Sequence, residues 1–135
     1  GLRTWMVPAQ ASVEVVRLGV PPNPAALLPG ATGGPAIGAT WEPSVDHAAF
    51  APAATLDVLA IASAPLDAPT PLGTLLCEPA TIAAWLPAAL GAGFDVPVPS
   101  DAELVGLALT AQAASVDAAG GALLTNALDV VIGTY

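Results

Sequence analysis

The feature that most constrains this chain is its punctuation: proline and glycine recur so often that no apolar run outlasts a short strand. Fifteen prolines and thirteen glycines are spread over 135 residues. Proline fixes φ and removes a backbone donor, so it stops helices and central strands, while glycine supplies turns. Between these breaks, small and β-branched apolar residues alternate with period two. Residues 55–63 set Leu56, Val58, Ala60 and Ala62 against Asp57, Leu59 and Ile61. Residues 105–116 set Leu107, Leu109, Ala111 and Ala113 against Gly106, Ala108, Thr110, Gln112 and Ala114. Residues 12–20 place Val13, Val15 and Arg17 on one face and Glu14, Val16 and Leu18 on the other. Alternation of this kind marks half-buried strands.

Shorter extended pieces are expected at 4–7, 36–41, 73–77, 94–98, 122–126 and 127–134. Residues 81–86 are ambiguous, and 64–71 reads as turn. Nothing is long enough to supply the helical crossovers that parallel strands need. The expectation is an all-β, antiparallel two-sheet sandwich (jelly-roll or Ig-like) of about eight strands, with an N-terminal extension strand. Residues 1–11 form the extended segment and linker, and 12–135 the sandwich domain. Ser100-Asp101-Ala102-Glu103 has the form of a capping box, with Ser100 as N-cap and Glu103 at the third position of a single helical turn.

Composition removes several functions. The hydrophobic fraction is 55%, too high for a disordered chain, and every apolar run breaks well before the ~20 residues of a membrane-spanning helix. Arg3 and Arg17 are the only basic side chains, against eleven acids and a net charge of −9. Nucleic acid and anionic lipid both need clustered Lys and Arg, so neither is a partner, and no membrane insertion is expected. Charged residues make up only 10% of the chain, where a soluble domain usually has roughly 25%. The outward strand positions hold Ala, Thr, Gly and Leu, so the surface is either covered or unusually apolar.

Catalytic and metal chemistry lack their usual groupings. Cys77 is alone, which rules out an internal disulfide, and it reads as a small buried hydrophobe in Leu75-Leu76-Cys77. His47 follows Asp46 and is expected to share a local turn hydrogen bond with it. No Gly-X-Ser-X-Gly elbow accompanies Ser44 or Ser63. The carboxylate pairs Glu42/Asp46 and Asp101/Glu103 fall in Pro-rich or capping stretches, so glycoside hydrolysis is not expected. Asp95, Asp101, Asp117 and Asp129 could offer oxygens to calcium, but no Asp-X-Asp-X-Asp-Gly loop is present. The expectation is no enzyme, no cofactor and no metal.

Two features point to interaction. Residues 2–7 contain Leu2, Trp5, Met6 and Val7, an apolar strand joined through Pro8-Ala9-Gln10-Ala11 to the body. Such a strand can pair with its own sheet edge or add to a neighbour's in the donor-strand manner. The second pattern gives a heterologous, non-closing contact and hence a filament. Trp5, Trp41 and Trp85 form the alternative, stacking platforms for sugar rings on a secreted carbohydrate-binding or adhesion domain. Otherwise Trp41 and Trp85 fill the core and Trp5 anchors the N-terminal segment.

From Ser12 onward the chain resembles an uncharacterised domain near the C-termini of Planctomycetes-type surface proteins. The residues that carry this are Val20-Pro21-Pro22-Asn23-Pro24 with Pro29-Gly30, Gly34-Pro35-Ala36-Ile37-Gly38, and Pro71-Leu72-Gly73-Thr74-Leu75-Leu76. Pro97-Val98-Pro99 with Leu104-Val105-Gly106, Gln112-Ala113, and Leu124-Thr125-Asn126-Ala127-Leu128 complete the pattern. The resemblance implies an extracellular β-sandwich and names no active site. The scarcity of lysine and the start at Gly1 fit a secreted chain after signal removal, although a trimmed chain would start the same way. The expected function is a bacterial cell-surface structural subunit that forms a homopolymer, with glycans as the partner under the alternative.

Overall fold

The computed structural model describes residues 8–135; the proposed donor residues Leu2, Trp5, Met6 and Val7 lie outside them. Among the described residues the chain is all-β. Its strands are β1 (Val13–Arg17), β2 (Leu27–Leu28), β3 (Thr40–Trp41), β4 (Ser44–Val45), β5 (Ala54–Ala62) and β6 (Pro65–Thr70). β7 (Gly73–Cys77), β8 (Ile82–Ala89), β9 (Val96–Pro97), β10 (Ala108–Asp117) and β11 (Ala122–Val131) follow. Eleven strands replace the expected eight. β2 and β4 are two-residue pieces, too short to show a period. β6 carries Pro65 and Pro69 and so reads as turn, yet it pairs with β7 as a hairpin. Residues 122–134, expected as two strands, begin with the single long β11.

Every strand pairing is antiparallel. Five strands form the main sheet in the order β1-β11-β10-β5-β8. Three two-stranded sheets, β2-β4, β3-β9 and β6-β7, accompany it. One face of the main sheet presents Leu59 and Ile61 from β5, Ala111 and Ala113 from β10, and Leu128 and Val130 from β11. Leu27, Trp41, Val45, Phe50, Phe94 and Val98 close over this face and complete the core. The faces are those read from alternation, with Leu59 and Ile61 buried and Asp57 buried beside them.

The opposite face carries Thr110, Gln112 and Ala60, and the β6-β7 hairpin lies over part of it. Two amide side chains knit the layers together. Gln112 donates from Nε2 to the carbonyls of Thr74 and Thr125, both at 2.9 Å, and its Oε1 accepts from Leu76 N at 2.9 Å. Asn23 donates to the same two carbonyls at 2.7 and 2.8 Å and accepts from Thr74 N at 2.8 Å. Arg17 adds a clamp. Its guanidinium grips Asp129 with Nε at 2.6 Å and Nη2 at 3.2 Å, and donates to the carbonyls of Leu66 and Leu76 at 3.0 Å each. Unpaired polar groups inside a protein cost on the order of 1–3 kcal/mol each. Among the described residues, every buried side-chain polar atom has a partner.

The helical turn near residue 100 is present, but its cap is shifted. The 3-10 turn covers Ala102–Leu104, and Asp101 is the N-cap, its side chain accepting from Glu103 N. Ser100 stands one residue too early, because the turn is tighter than the α-helical one a capping box requires. At the N-terminal side, residues 10–12 continue the β1-β11 ladder: Thr134 N donates to Gln10 O at 2.8 Å and Ser12 N to Tyr135 O at 2.7 Å. Gly133 permits this approach, since a Cβ there would collide with the backbone of residues 10–12.

Candidate assembly interface

The main sheet ends in β1 on one side and β8 on the other. Exposed strand edges carry unpaired N–H and C=O groups, and proteins usually guard them with outward charges, proline or bulges. β8 has the sequence Ile-Ala-Ala-Trp-Leu-Pro-Ala-Ala, without a charge. Its guards are a register irregularity at Ala83, opposite Ile61 and Ala62, and Pro87, a residue tolerated there because the strand lies at an edge. Its alternation is regular: Trp85, Pro87 and Ala89 are exposed, whereas Ala84, Leu86 and Ala88 lean on the core. Among the described residues, the backbone ladder of β8 runs only to β5.

β1 does contain charges, but both are turned to internal work. Glu14 accepts from Gly30 N and from Trp41 Nε1, each at 2.8 Å. Arg17 is held in the clamp with Asp129. What β1 shows to solvent is Val13, Val15 and Val16, with Val15 53% exposed. Leu18 and Val20 extend this apolar strip.

The three tryptophans separate. Trp5 lies outside the described residues. Trp41 is 2% exposed, and its indole N–H is spent on Glu14, so its ring offers no face to a sugar. Trp85 is 64% exposed on β8, beside a shallow apolar groove bordered by Val58, Leu75, Ile82 and Leu124. The reading in which Trp41 and Trp85 both fill the core holds for Trp41 and fails for Trp85. The signal was present in the alternation of residues 82–89, which puts Trp85 opposite Leu86. A second apolar cavity, of about 260 Å³, opens at the end of the core among Pro35, Trp41, Pro97, Leu104, Leu107 and Ile132.

The single histidine is built into a polar knot instead of a local turn with Asp46. His47 Nε2 lies 2.8 Å from Asp57 Oδ1, and Nδ1 lies 2.8 Å from Phe50 O. Asp46 accepts from Ala48 N. Asp57, wholly buried, also accepts from Ser115 Oγ at 2.7 Å and Gly91 N at 3.1 Å. Burial lowers the imidazole's proton affinity, but the Phe50 carbonyl, the Asp57 hydrogen bond and the charges of Asp57 and Asp46 outweigh it. The pKa is held above 6.5. Ser115 bonds the carboxylate and not the imidazole, so the three residues do not form a nucleophile–base pair.

Cys77, at the end of hairpin strand β7, is buried against β10, its Sγ 3.5 Å from Thr110 O, and burial pushes its pKa up to about 12. It is a packing residue, as its sequence neighbourhood indicates. The acids considered for calcium disperse: Asp129 pairs with Arg17, Asp117 accepts from Ala119 N and Gly121 N, and Asp101 caps its turn. Among the described residues, no group of three metal-ligating side chains converges, and no helix is long and apolar enough to cross a membrane. No family model matches the chain, and comparison with curated proteins and with solved structures gives no match either.

Proposed function

We propose that this chain is an extracellular structural subunit that assembles with its own copies into a surface filament or lattice. Assembly proceeds by exchange of the N-terminal strand and by apolar packing between subunits. One observation carries the reading: the five-stranded sheet ends in two strands, and neither presents a charge to solvent along its edge. Edges of this kind pair with further strands unless they are blocked. The exposed Trp85 extends the surface that a neighbour would cover. We read the main sheet and the smaller sheets packed on its core face as the two layers of a β-sandwich.

Light scattering over a range of protein concentrations tests this. The full chain is expected to give large species, and deletion of residues 2–7 to reduce them to monomers. Large species that survive the deletion would remove strand exchange from the reading.

Trp85 favours a second reading, a secreted carbohydrate-binding domain, because an exposed indole beside a shallow groove is the surface on which a sugar ring stacks. Under that reading Trp85→Ala abolishes retention on a glycan array while leaving thermal stability unchanged. Equal retention by both proteins would end it.

A further inference from the structure

We infer that β8 is the acceptor edge of the assembly, and that its occupant is the segment of residues 2–7 from a second copy. This rests on the assembly reading above and adds which edge is used and why the pairing must be between chains. The argument is one of reach. Gln10 is seated on the β1-β11 side of the main sheet by its bonds to Thr134. β8 is at the far side, four strand spacings from β1, and a strand added outside it lies a fifth spacing away. At ~4.8 Å per spacing that distance is ~24 Å. Five residues of fully extended chain, from Gln10 back to Trp5, span at most ~17 Å. Val7, Met6 and Trp5 therefore fall short of the β8 edge of their own molecule, whatever path the linker takes.

From a neighbouring copy the same segment meets no such limit. The donor leaves from the β1 side and the acceptor lies on the β8 side, so each subunit presents one of each on opposite edges. That contact is heterologous and repeats head to tail, extending as a filament wherever the rotation between copies does not close a ring. The chemistry of the two surfaces matches. Residues 2–7 bring Leu2, Trp5, Met6 and Val7 with one charge, Arg3. β8 brings an uncharged edge flanked by the exposed ring of Trp85, an apolar surface for the apolar side chains of the incoming strand.

The test compares full-length variants by light scattering and negative-stain imaging. Ala83→Lys with Ala89→Lys places charges on exposed positions of β8; Val13→Lys with Val15→Lys does the same on β1. Unchanged melting temperatures establish that each variant is folded. The β8 pair is expected to lower assembled mass at least tenfold, and the β1 pair to leave it within about twofold. Independently, full-length Met6→Cys chains mixed with Ala83→Cys chains should cross-link between molecules through a short bis-maleimide, the buried Cys77 remaining unreacted. Assembly blocked by the β1 lysines and not by the β8 lysines would overturn the inference and leave the assembly reading standing. So would an intrachain Met6→Cys to Leu104→Cys cross-link in assembled material, which would seat the segment in its own apolar cavity. A wild-type chain that stays monomeric would overturn both.

Discussion

Asp57 and Gln112 show how single side chains hold this molecule together. Both sit in strands whose sequence is otherwise small and apolar, and both are buried. Gln112 satisfies two carbonyls and one amide drawn from two strands, β7 and β11. Gln112→Ala leaves Leu76 N unpaired, the two carbonyls keeping their bonds from Asn23, and is expected to cost about 1–3 kcal/mol, read as a lower urea midpoint with an unchanged slope. His47 sets a pH dependence. Both its ring nitrogens face acceptor oxygens, so the arrangement is complete only when the imidazole is protonated. With its folded pKa above the unfolded value near 6.5, its contribution is fully present below about pH 6.5 and is lost as pH rises through the folded pKa. The melting temperature should therefore fall above neutrality, and His47→Gln should flatten that fall. A wild-type profile already flat from pH 6 to 9 would contradict this. Sequence alone showed Asp57 as a lone acid on an apolar face but could not give its partner, because the intervening turn that brings His47 to it has no periodic signature.

At the scale of elements, strand alternation carried most of the legible information. The two faces of β5 and β10 follow the period-two pattern directly. The β6-β7 hairpin was hidden because Pro65 and Pro69 argue against a strand, and edge position is the circumstance that lifts that objection. Once β6 is seen, the scarcity of polar outward residues on β10 is partly explained, since the hairpin covers them. Arg17 was legible only as a residue on a strand face; its part as the clamp between β1, Asp129 and the hairpin comes from tertiary placement. Arg17→Lys keeps the charge but cannot reproduce the fork to Asp129 together with two carbonyls. The expected loss is about 1–2 kcal/mol, moderated by the partial exposure of the pair, with faster amide exchange confined to β6 and β7. Exchange rising equally across the whole sheet would argue that Arg17 has no special hold on the hairpin. Gly133→Ala is expected to free residues 8–12 from β11, seen as new proteolytic cleavage there, because the added Cβ collides with their backbone. The tryptophan assignments were open in sequence because residues 81–86 are ambiguous there; once they are a strand, their alternation turns Trp85 outward. The burial of Trp41 against Glu14 completes the separation.

For the molecule as a whole, the decisive property is an antiparallel sheet with one uncharged edge, β8, and a second, β1, whose two charges are bonded internally, in a chain of net charge −9. Six of the eleven acids lie outside the strands and none lies on β8, so the negative charge does not guard that edge. Under the proposed joining by backbone pairing and apolar contact, assembly should persist at high salt, where charge repulsion is screened. The most direct measurement is negative-stain imaging of the purified full chain at neutral pH and physiological ionic strength. The account predicts filaments or ordered lattices that lengthen when salt is raised. A field of separate small particles at every protein concentration would contradict it.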